Sequence, residues 1–182
     1  MKTTTLITFL ARLPLYAAVL VPLTVTAEPG VRLQGSFSIS AEASPNTGAT
    51  FCGGAPSDGL VAEGHGTGFS TLGAFTFTLH KTLNLSTGEY RGCVVLTAPD
   101  GDTLLADYDL VQANTTSDFN GGNGSLKITG GTGRFTGASG TLNLVGLFLS
   151  LYPANSFLGG GKGPLQVVAN YMVDGIVSIP RR

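Results

Sequence analysis

The sequence predicts an all-β protein, an eight-stranded antiparallel up-and-down β-barrel that follows an N-terminal signal peptide. After residue 30, no segment repeats its apolar residues with a helical period, whereas short runs of alternating apolar and polar residues recur. Glycine-, asparagine- and proline-containing turn sequences separate these runs. The runs number eight, and closing an antiparallel sheet of that size into a barrel removes its exposed edges. A β-sandwich is the main alternative architecture.

The first 27 residues are typical of a secretory signal peptide. Lys2 and Arg12 precede an uncharged run that ends in small residues at Ala27, as a cleavage site requires. Two prolines in the same stretch disfavour a lasting membrane helix. We therefore expect a secreted or periplasmic protein whose mature part, residues 28–182, is a single barrel domain that does not span the membrane.

The composition of the mature part restricts its partners. It holds eight basic and eleven acidic residues, a net charge of −3, which disfavours nucleic acid as a partner. All 27 glycines lie in it, about 17% of its residues against a typical ~7%. An outer-membrane barrel would need girdles of aromatic residues, whereas aromatic residues make up 8% of this chain and its last four residues are Ile-Pro-Arg-Arg. This favours a barrel outside the membrane.

The eight strands are placed by alternation and by the turns between them. In the third, Phe75, Phe77 and Leu79 would share one face. The intervening threonines and His80 would share the other. Proline and glycine within residues 98–102 predict a tight hairpin turn. The predicted strands are 31–42, 60–68, 72–82, 89–97, 102–112, 123–129, 138–151 and 165–178.

Cys52 and Cys93 are the only cysteines in the chain. In an exported protein, two cysteines favour a single disulfide. It would close a loop of roughly 40 residues, which the chain-entropy model values at about 4 kcal/mol. A catalytic thiol is disfavoured, because Arg91 is the only basic residue near either cysteine in the sequence. The two histidines are not spaced to complete a metal site with the cysteines, so no metal is expected.

Residues 128–146 concentrate six glycines in nineteen positions and could be taken for a phosphate-binding loop. However, Gly131, Gly133 and Gly137 have the spacing G-x-G-x-x-x-G, which does not match the dinucleotide fingerprint. An alternating strand follows, and not a helix whose N-terminus could receive a pyrophosphate. We therefore expect a turn and a sharply coiled strand, with Phe135 closing one end of the core and no nucleotide cofactor.

The segment LKITGGTGRFTGASGTLNL, residues 126–144, resembles the signature hairpin of the allene oxide cyclase and dirigent barrel superfamily. It is most similar to the uncharacterised exported bacterial members. Residues 101–108, GDTLLADY, resemble the strand that leads into this hairpin in those members. The resemblance covers residues 100–145. It implies an eight-stranded barrel, often trimeric, whose interior holds a small apolar molecule without a cofactor.

The resemblance also implies candidate ligand contacts. In the cyclases, the first strand presents a glutamate and an asparagine, two positions apart, toward the cavity, and an alignment places Ser38 and Ser40 there. The missing carboxylate disfavours cyclase activity itself. From the residue pattern, Phe77 on the third strand and Tyr171 on the last strand are further candidates for contacts inside the barrel.

Three residues are candidates for proton transfer. Glu63 and His65 lie two apart and so share one face of the second strand, where a carboxylate can tune an imidazole. A solvated hairpin face is the alternative interpretation. His80 is a candidate donor in the cavity or at its rim. No sequence motif of a serine or metal hydrolase is present.

These observations predict an exported barrel that binds a small apolar molecule in its interior, with no evident catalytic set. The alternative is a cofactor-free cyclase, isomerase or dirigent-like stereocontrolling protein that acts by holding its substrate in one conformation. Whether the protein is an enzyme therefore stays open. A structural or surface-interaction role is a third possibility, and the resemblance adds a homo-oligomer, a trimer, to the expected assembly.

Overall fold

The computed structural model describes residues 30–45, 52, 59–113 and 119–181. The predicted signal peptide lies outside these residues. In the described parts the chain is almost entirely β-sheet, with two single-turn 3₁₀ helices in connections. No helix within these ranges has the length and apolar character needed to cross a bilayer.

Eight antiparallel strands form one closed barrel. Each strand pairs with its neighbours in sequence, and β1 also pairs with β8, so the sheet has no free edge. This confirms the predicted up-and-down barrel over the sandwich. The strands are β1 Val31–Pro45, β2 Leu60–Ser70, β3 Gly73–Leu83, β4 Glu89–Thr97, β5 Thr103–Gln112, β6 Phe119–Gly131, β7 Ser139–Leu151 and β8 Leu165–Ser178.

Alternation along each strand fills the barrel with side chains. On β5, for example, Tyr108 points inward and is buried, while Asp107 and Asp109 on either side of it point to solvent. Large aromatic rings meet in the middle of the barrel. The ring centroids of Phe37 and Phe77 are 5.6 Å apart, and that of Phe148 lies 5.6 Å from that of Tyr171. Such pairs are in the range of favourable aromatic packing.

The glycine-rich segment between β6 and β7 forms a turn, as predicted. Gly133 and Gly137 have φ of 52° and 75°, in the left-handed region that favours glycine. The carboxylate of Asp102 accepts a hydrogen bond of 2.8 Å from the backbone N–H of Arg134, and a Cβ at Gly133 would collide with that carboxylate. Phe135 is buried in the core. A backbone amide of this turn is therefore already bound by the protein's own anion.

The two ends of the barrel differ in their connections. The end that carries the β1–β2, β3–β4, β5–β6 and β7–β8 connections is here named the loop end; the opposite one, with the three other connections, is the turn end. The predicted disulfide between Cys52 and Cys93 is confirmed. Cys93 lies between the inward-facing Gly92 and Val94 of β4, so it faces outward, and the bond ties the β1–β2 connection to the outer face of β4.

Candidate functional site

Lys81 is an inward-facing lysine near the loop end of the barrel. Phe75, Phe77 and Leu79 point into the barrel as predicted, and the same alternation carries Lys81 to the inner face two residues further on. Its residue surface is only 2% exposed. Lysine is almost never buried to this extent unless it is paired, so its surroundings indicate what the side chain does.

The ammonium group of Lys81 lies among aromatic side chains. Its Nζ donates a hydrogen bond of 3.3 Å to the Tyr171 hydroxyl. It also lies 4.2 Å from the ring centroid of Tyr90, 5.1 Å from that of Phe148 and 5.7 Å from that of Tyr108. These distances place the nitrogen within range of cation–π attraction. None of the ion pairs between described residues includes Lys81.

Burial without a carboxylate partner changes the acidity of this lysine. The low-polarity interior disfavours the charged form and lowers the pKa of Lys81 from 10.5 to about 7. At neutral pH, a large fraction of the side chain is therefore the free amine, which has a lone pair and can act as a base or a nucleophile.

Three buried tyrosines complete the cluster around Lys81. The Tyr108 hydroxyl donates a hydrogen bond of 3.4 Å to the Tyr171 oxygen, so that oxygen receives hydrogen bonds from both Tyr108 and Lys81. Burial raises the pKa of Tyr90, Tyr108 and Tyr171 above the ordinary value of a phenol. All three therefore stay protonated near neutral pH, and their hydroxyls are available as hydrogen-bond donors.

A cavity of about 50 Å³ lies beside this cluster at the loop end. Apart from Lys81, Tyr90 and Ser150, its walls are aliphatic, so it combines an apolar lining with a few polar groups, as small-molecule sites do. It is much smaller than the ~300 Å³ or more of sites for drug-sized ligands. It therefore suits a few heavy atoms or one end of a longer molecule. Its lining residues are Ala43, Leu60, Ala62, Lys81, Leu83, Tyr90, Ser150, Leu165 and Val167.

The predicted ligand contacts divide between the two faces of the sheet. Phe77 and Tyr171 lie inside the barrel, with ring centroids 6.1 Å apart. Ser38 and Ser40, however, are on the outer face of β1, because the intervening Ile39 and its alternate neighbours fill the inner face. The Ser38 hydroxyl donates a hydrogen bond of 2.6 Å to the side-chain oxygen of Asn170 on the outer face. The two serines therefore do not line the interior.

The residues predicted for proton transfer also lie outside the barrel. Glu63 and His65 are exposed on the outer face of β2. His80, predicted at the cavity or its rim, faces outward on β3 directly across from Glu63, and its Nδ1 is 3.6 Å from a carboxylate oxygen of Glu63. Glu63 and His65, with Ser40, line a surface groove of about 340 Å³. The structure thus brings these candidates together, but on the side of the sheet away from Lys81.

Over the ranges that the structure describes, no group of three or more histidine, cysteine, aspartate or glutamate side chains is arranged to hold a metal ion. The polar groups around Lys81 and the cavity are an amine, phenol hydroxyls and the Ser150 hydroxyl, and the amide of Asn120 is a further buried polar group on the inward face of β6. Together they can donate hydrogen bonds to an oxygen atom, accept a proton, or attack an electrophilic carbon.

Sequence reasoning missed Lys81, Tyr90 and Tyr108 as members of the site. The signal for Lys81 was present, because it continues the alternation of Phe75, Phe77 and Leu79. The burial of Tyr108 likewise followed from the outward placement of the aspartates beside it. What the sequence did not show is that strands far apart in the chain bring these side chains to one point.

No family model matches the sequence, and no curated protein matches it. Among solved structures, the chain is similar to a pterocarpan synthase dirigent protein, with 12% sequence identity and a TM-score of 0.39. The match covers 89% of this chain and 99% of that protein's chain.

Proposed function

We propose that the barrel binds a small, largely apolar molecule at its loop end, with one polar group of that molecule against Lys81. The cavity of about 50 Å³ beside the buried amine carries this proposal. Its aliphatic walls suit an apolar body, and the Lys81 amine suits an oxygen atom that accepts a hydrogen bond. The sequence predicts binding in the barrel interior, and this proposal assigns that binding to the cavity at the loop end.

The disulfide supports a location of the protein outside the reducing cytosol. A bond such as Cys52–Cys93 persists in secreted and periplasmic proteins and is rare in the cytosol. Export through a signal peptide and assembly into a trimer stay predictions of the sequence.

A second candidate function is the cofactor-free isomerase, cyclase or stereocontrolling activity. The arrangement that favours it is an amine with a pKa of about 7 in hydrogen-bond contact with a protonated phenol. A base whose pKa lies near the working pH, beside a proton donor, is suited to moving a proton within a bound molecule. Conversion of a bound ligand by the wild type, lost in Lys81→Met, would favour this activity over simple binding.

The binding proposal can be tested with 1-propanol, a short apolar molecule with one hydroxyl and no carbonyl. In a methyl NMR titration, saturable shifts are expected at Leu60, Leu165 and Val167, which line the cavity. Ala62→Val places two more carbons in the cavity and should abolish these shifts. Ala74→Val is the matched control, because it adds the same two carbons on the outward face of the neighbouring strand β3.

Two outcomes would overturn the proposal. One is a titration in which the cavity methyl groups shift linearly with alcohol concentration, without saturation. The other is saturable binding that Ala62→Val leaves intact while the variant remains folded, since this would place the bound alcohol elsewhere on the protein.

A further inference from the structure

We propose that Lys81 captures carbonyl compounds: its side-chain amine condenses reversibly with an aldehyde or ketone group that enters the cavity at the loop end, forming an imine. This inference rests on the proposed function, because the carbonyl group must first occupy the same cavity. It adds the class of ligand and the covalent bond that holds it.

The first support is the kind of neighbour that Lys81 has. A lysine that serves only to stabilise a fold is expected to meet a carboxylate, since a buried charge without a partner is unfavourable. Lys81 instead meets the Tyr171 hydroxyl and three aromatic rings. Desolvation in an apolar pocket is one of the ways by which proteins turn lysine into a nucleophile.

The second support is that the amine borders an apolar cavity. Lys81 and Tyr90 are both part of the wall, and Leu60, Leu165 and Val167 form aliphatic surface around them. At about 50 Å³, the cavity suits a carbonyl group with a short chain. A longer aldehyde would place only its reactive end there. The chemistry therefore selects small aldehydes and ketones, or longer molecules that end in one.

The reaction balances without an oxidant, a reductant or a cofactor. The lone pair of the free amine attacks the carbonyl carbon, and the electron pair of the C=O π bond moves to oxygen, which takes up a proton to give a carbinolamine. The nitrogen loses its two protons in turn and forms a double bond to carbon, while the hydroxyl takes up a second proton and leaves as water. The net change is one C=N bond formed and one water released, and hydrolysis reverses it.

The tyrosines are placed to move the protons that this reaction requires. Tyr171 does not line the cavity, but its oxygen is 3.3 Å from Nζ and so is in hydrogen-bond contact with the nitrogen to which the carbonyl carbon bonds. It can donate a hydrogen bond to the carbinolamine oxygen as that oxygen leaves. The Tyr108 hydroxyl, 3.4 Å from the Tyr171 oxygen, can return a proton to Tyr171. Tyr171 is thus a positioning and proton-donating group, and Lys81 is the nucleophile.

The lowered pKa supplies reactive amine at neutral pH. With a pKa of about 7, roughly half of Lys81 is unprotonated at pH 7. An ordinary lysine with a pKa of ~10.4 is unprotonated in only about one molecule in 2,500 at that pH. The reactive fraction of Lys81 is therefore larger by roughly a thousandfold. Restricted access through the cavity reduces this advantage, and we expect at least a roughly tenfold faster reaction than at an exposed lysine.

The test uses the oxidised wild-type protein with propanal and cyanoborohydride, which reduces an imine to a stable propyl-amine. Peptide mapping by mass spectrometry then reports which lysine carries the propyl group. Lys127 and Lys162 are exposed and serve as controls within the same molecule. Lys81 is expected to label at least about tenfold faster than either at pH 7. Its rate should rise with pH to a plateau, with a midpoint near the pKa of about 7.

Two variants distinguish imine formation at Lys81 from a general reactivity of exposed lysines. Lys81→Met should lose the fast label and keep the slow labels at Lys127 and Lys162. Tyr171→Phe keeps the ring and removes the hydroxyl, so Lys81 should still label, but more slowly. If Lys81→Met fails to fold, the peptide map of the wild type still decides the question, because the three lysines report separately.

The outcomes distinguish the imine from the binding proposal. If 1-propanol binds at the cavity but Lys81 labels no faster than Lys127 and Lys162, the imine is refuted and the binding proposal stands. If Lys81 labels fast but 1-propanol does not bind, the imine stands, stable binding without a covalent bond is refuted, and the aldehyde occupies the cavity only transiently before it reacts. Failure of both experiments refutes both.

Discussion

Lys81 is the one acidic or basic side chain that is buried among the residues described by the structure. The groups that face it are the hydroxyl of Tyr171 and the rings of Tyr90, Tyr108 and Phe148. No carboxylate is among them. Folding therefore removes the hydration of the charged ammonium group and supplies no opposite charge to replace it. The stability of the whole barrel is therefore linked to the protonation of this one nitrogen.

The linkage predicts how stability changes with pH. The pKa of Lys81 is about 7 in the folded state and ~10.4 in an unfolded chain, so the unfolded state binds more protons between these values. The free energy of unfolding should therefore rise as the pH increases from 7 toward ~10. Above pH ~10, tyrosines of the unfolded chain ionise while the buried tyrosines do not, and stability should fall again.

Urea denaturation of the wild type and of Lys81→Met at several pH values checks this prediction. The methionine side chain has no charge to desolvate, so the variant should be more stable at pH 7, by up to about 4 kcal/mol, and the rise between pH 7 and 10 should disappear. Both proteins should lose stability above pH ~10. A wild type whose stability does not change between pH 7 and 10 would contradict the burial of an unpaired amine.

At the scale of the strands, inward-facing glycines make room for the large rings of the core. On β2, a Cβ at Gly64 would lie 2.7 Å from Ile39, and one at Gly66 would overlap the backbone oxygen of Ser38 and lie 2.9 Å from the Cα of Ile39. On β7, a Cβ at Gly146 would lie 2.6 Å from the ring of Phe148. The high glycine content is thus explained in part by packing within strands, and not only by turns.

Gly66→Ala is therefore expected to destabilise the barrel by about 2 kcal/mol, because the neighbouring β1 backbone must move. Gly121→Ala is the matched control. It lies in β6, and its new Cβ would have its nearest neighbours at 3.6 Å, an ordinary contact. The control should change stability by less than about 0.5 kcal/mol, or increase it slightly. Equal midpoints of urea denaturation for the two variants would show that β1 does not approach β2 this closely.

The strands also show which parts of the fold the sequence could predict. β4 and β8 have the predicted bounds, because apolar alternation extends over their full length. β6 begins at Phe119 and not at residue 123, since its first half consists mainly of asparagine and glycine and is held by backbone pairing with β7. Backbone pairing of this kind leaves no apolar pattern in the sequence.

The candidate site was harder to predict than the fold. Alternation within β1 places Ser38 and Ser40 on the opposite face from Ile39, but the alignment to the cyclases assigned them to the cavity. Lys81 followed the inward pattern of its own strand, yet a lysine is normally expected in solvent. The contact between Lys81 and Tyr171 joins residues 90 positions apart, and only the closed barrel brings them together.

At the scale of the whole molecule, the disulfide joins Cys52, in the β1–β2 connection, to Cys93 on β4. It joins residues 41 positions apart, and the chain-entropy model values such a cross-link at about 4 kcal/mol. The double variant Cys52→Ser, Cys93→Ser should therefore lose up to about 4 kcal/mol in the free energy of unfolding, measured by urea denaturation. A control is the wild type in reductant, which should lose a similar amount while the variant is unaffected. If the double variant and the reduced wild type each lose less than about 1 kcal/mol, the disulfide does not stabilise the fold by restricting the unfolded chain.

The pairing of β1 with β8 has a consequence for how the protein is made. Arg32 and Asp174 form a two-point ion pair across this seam, with N–O distances of 2.8 and 2.9 Å, although 142 positions separate them in the chain. A nascent chain that has left the ribosome only as far as β7 cannot close its cylinder and presents two bare strand edges to other nascent chains. Synthesis of the last strand is therefore the step that allows both edges to be paired and removes this route to aggregation.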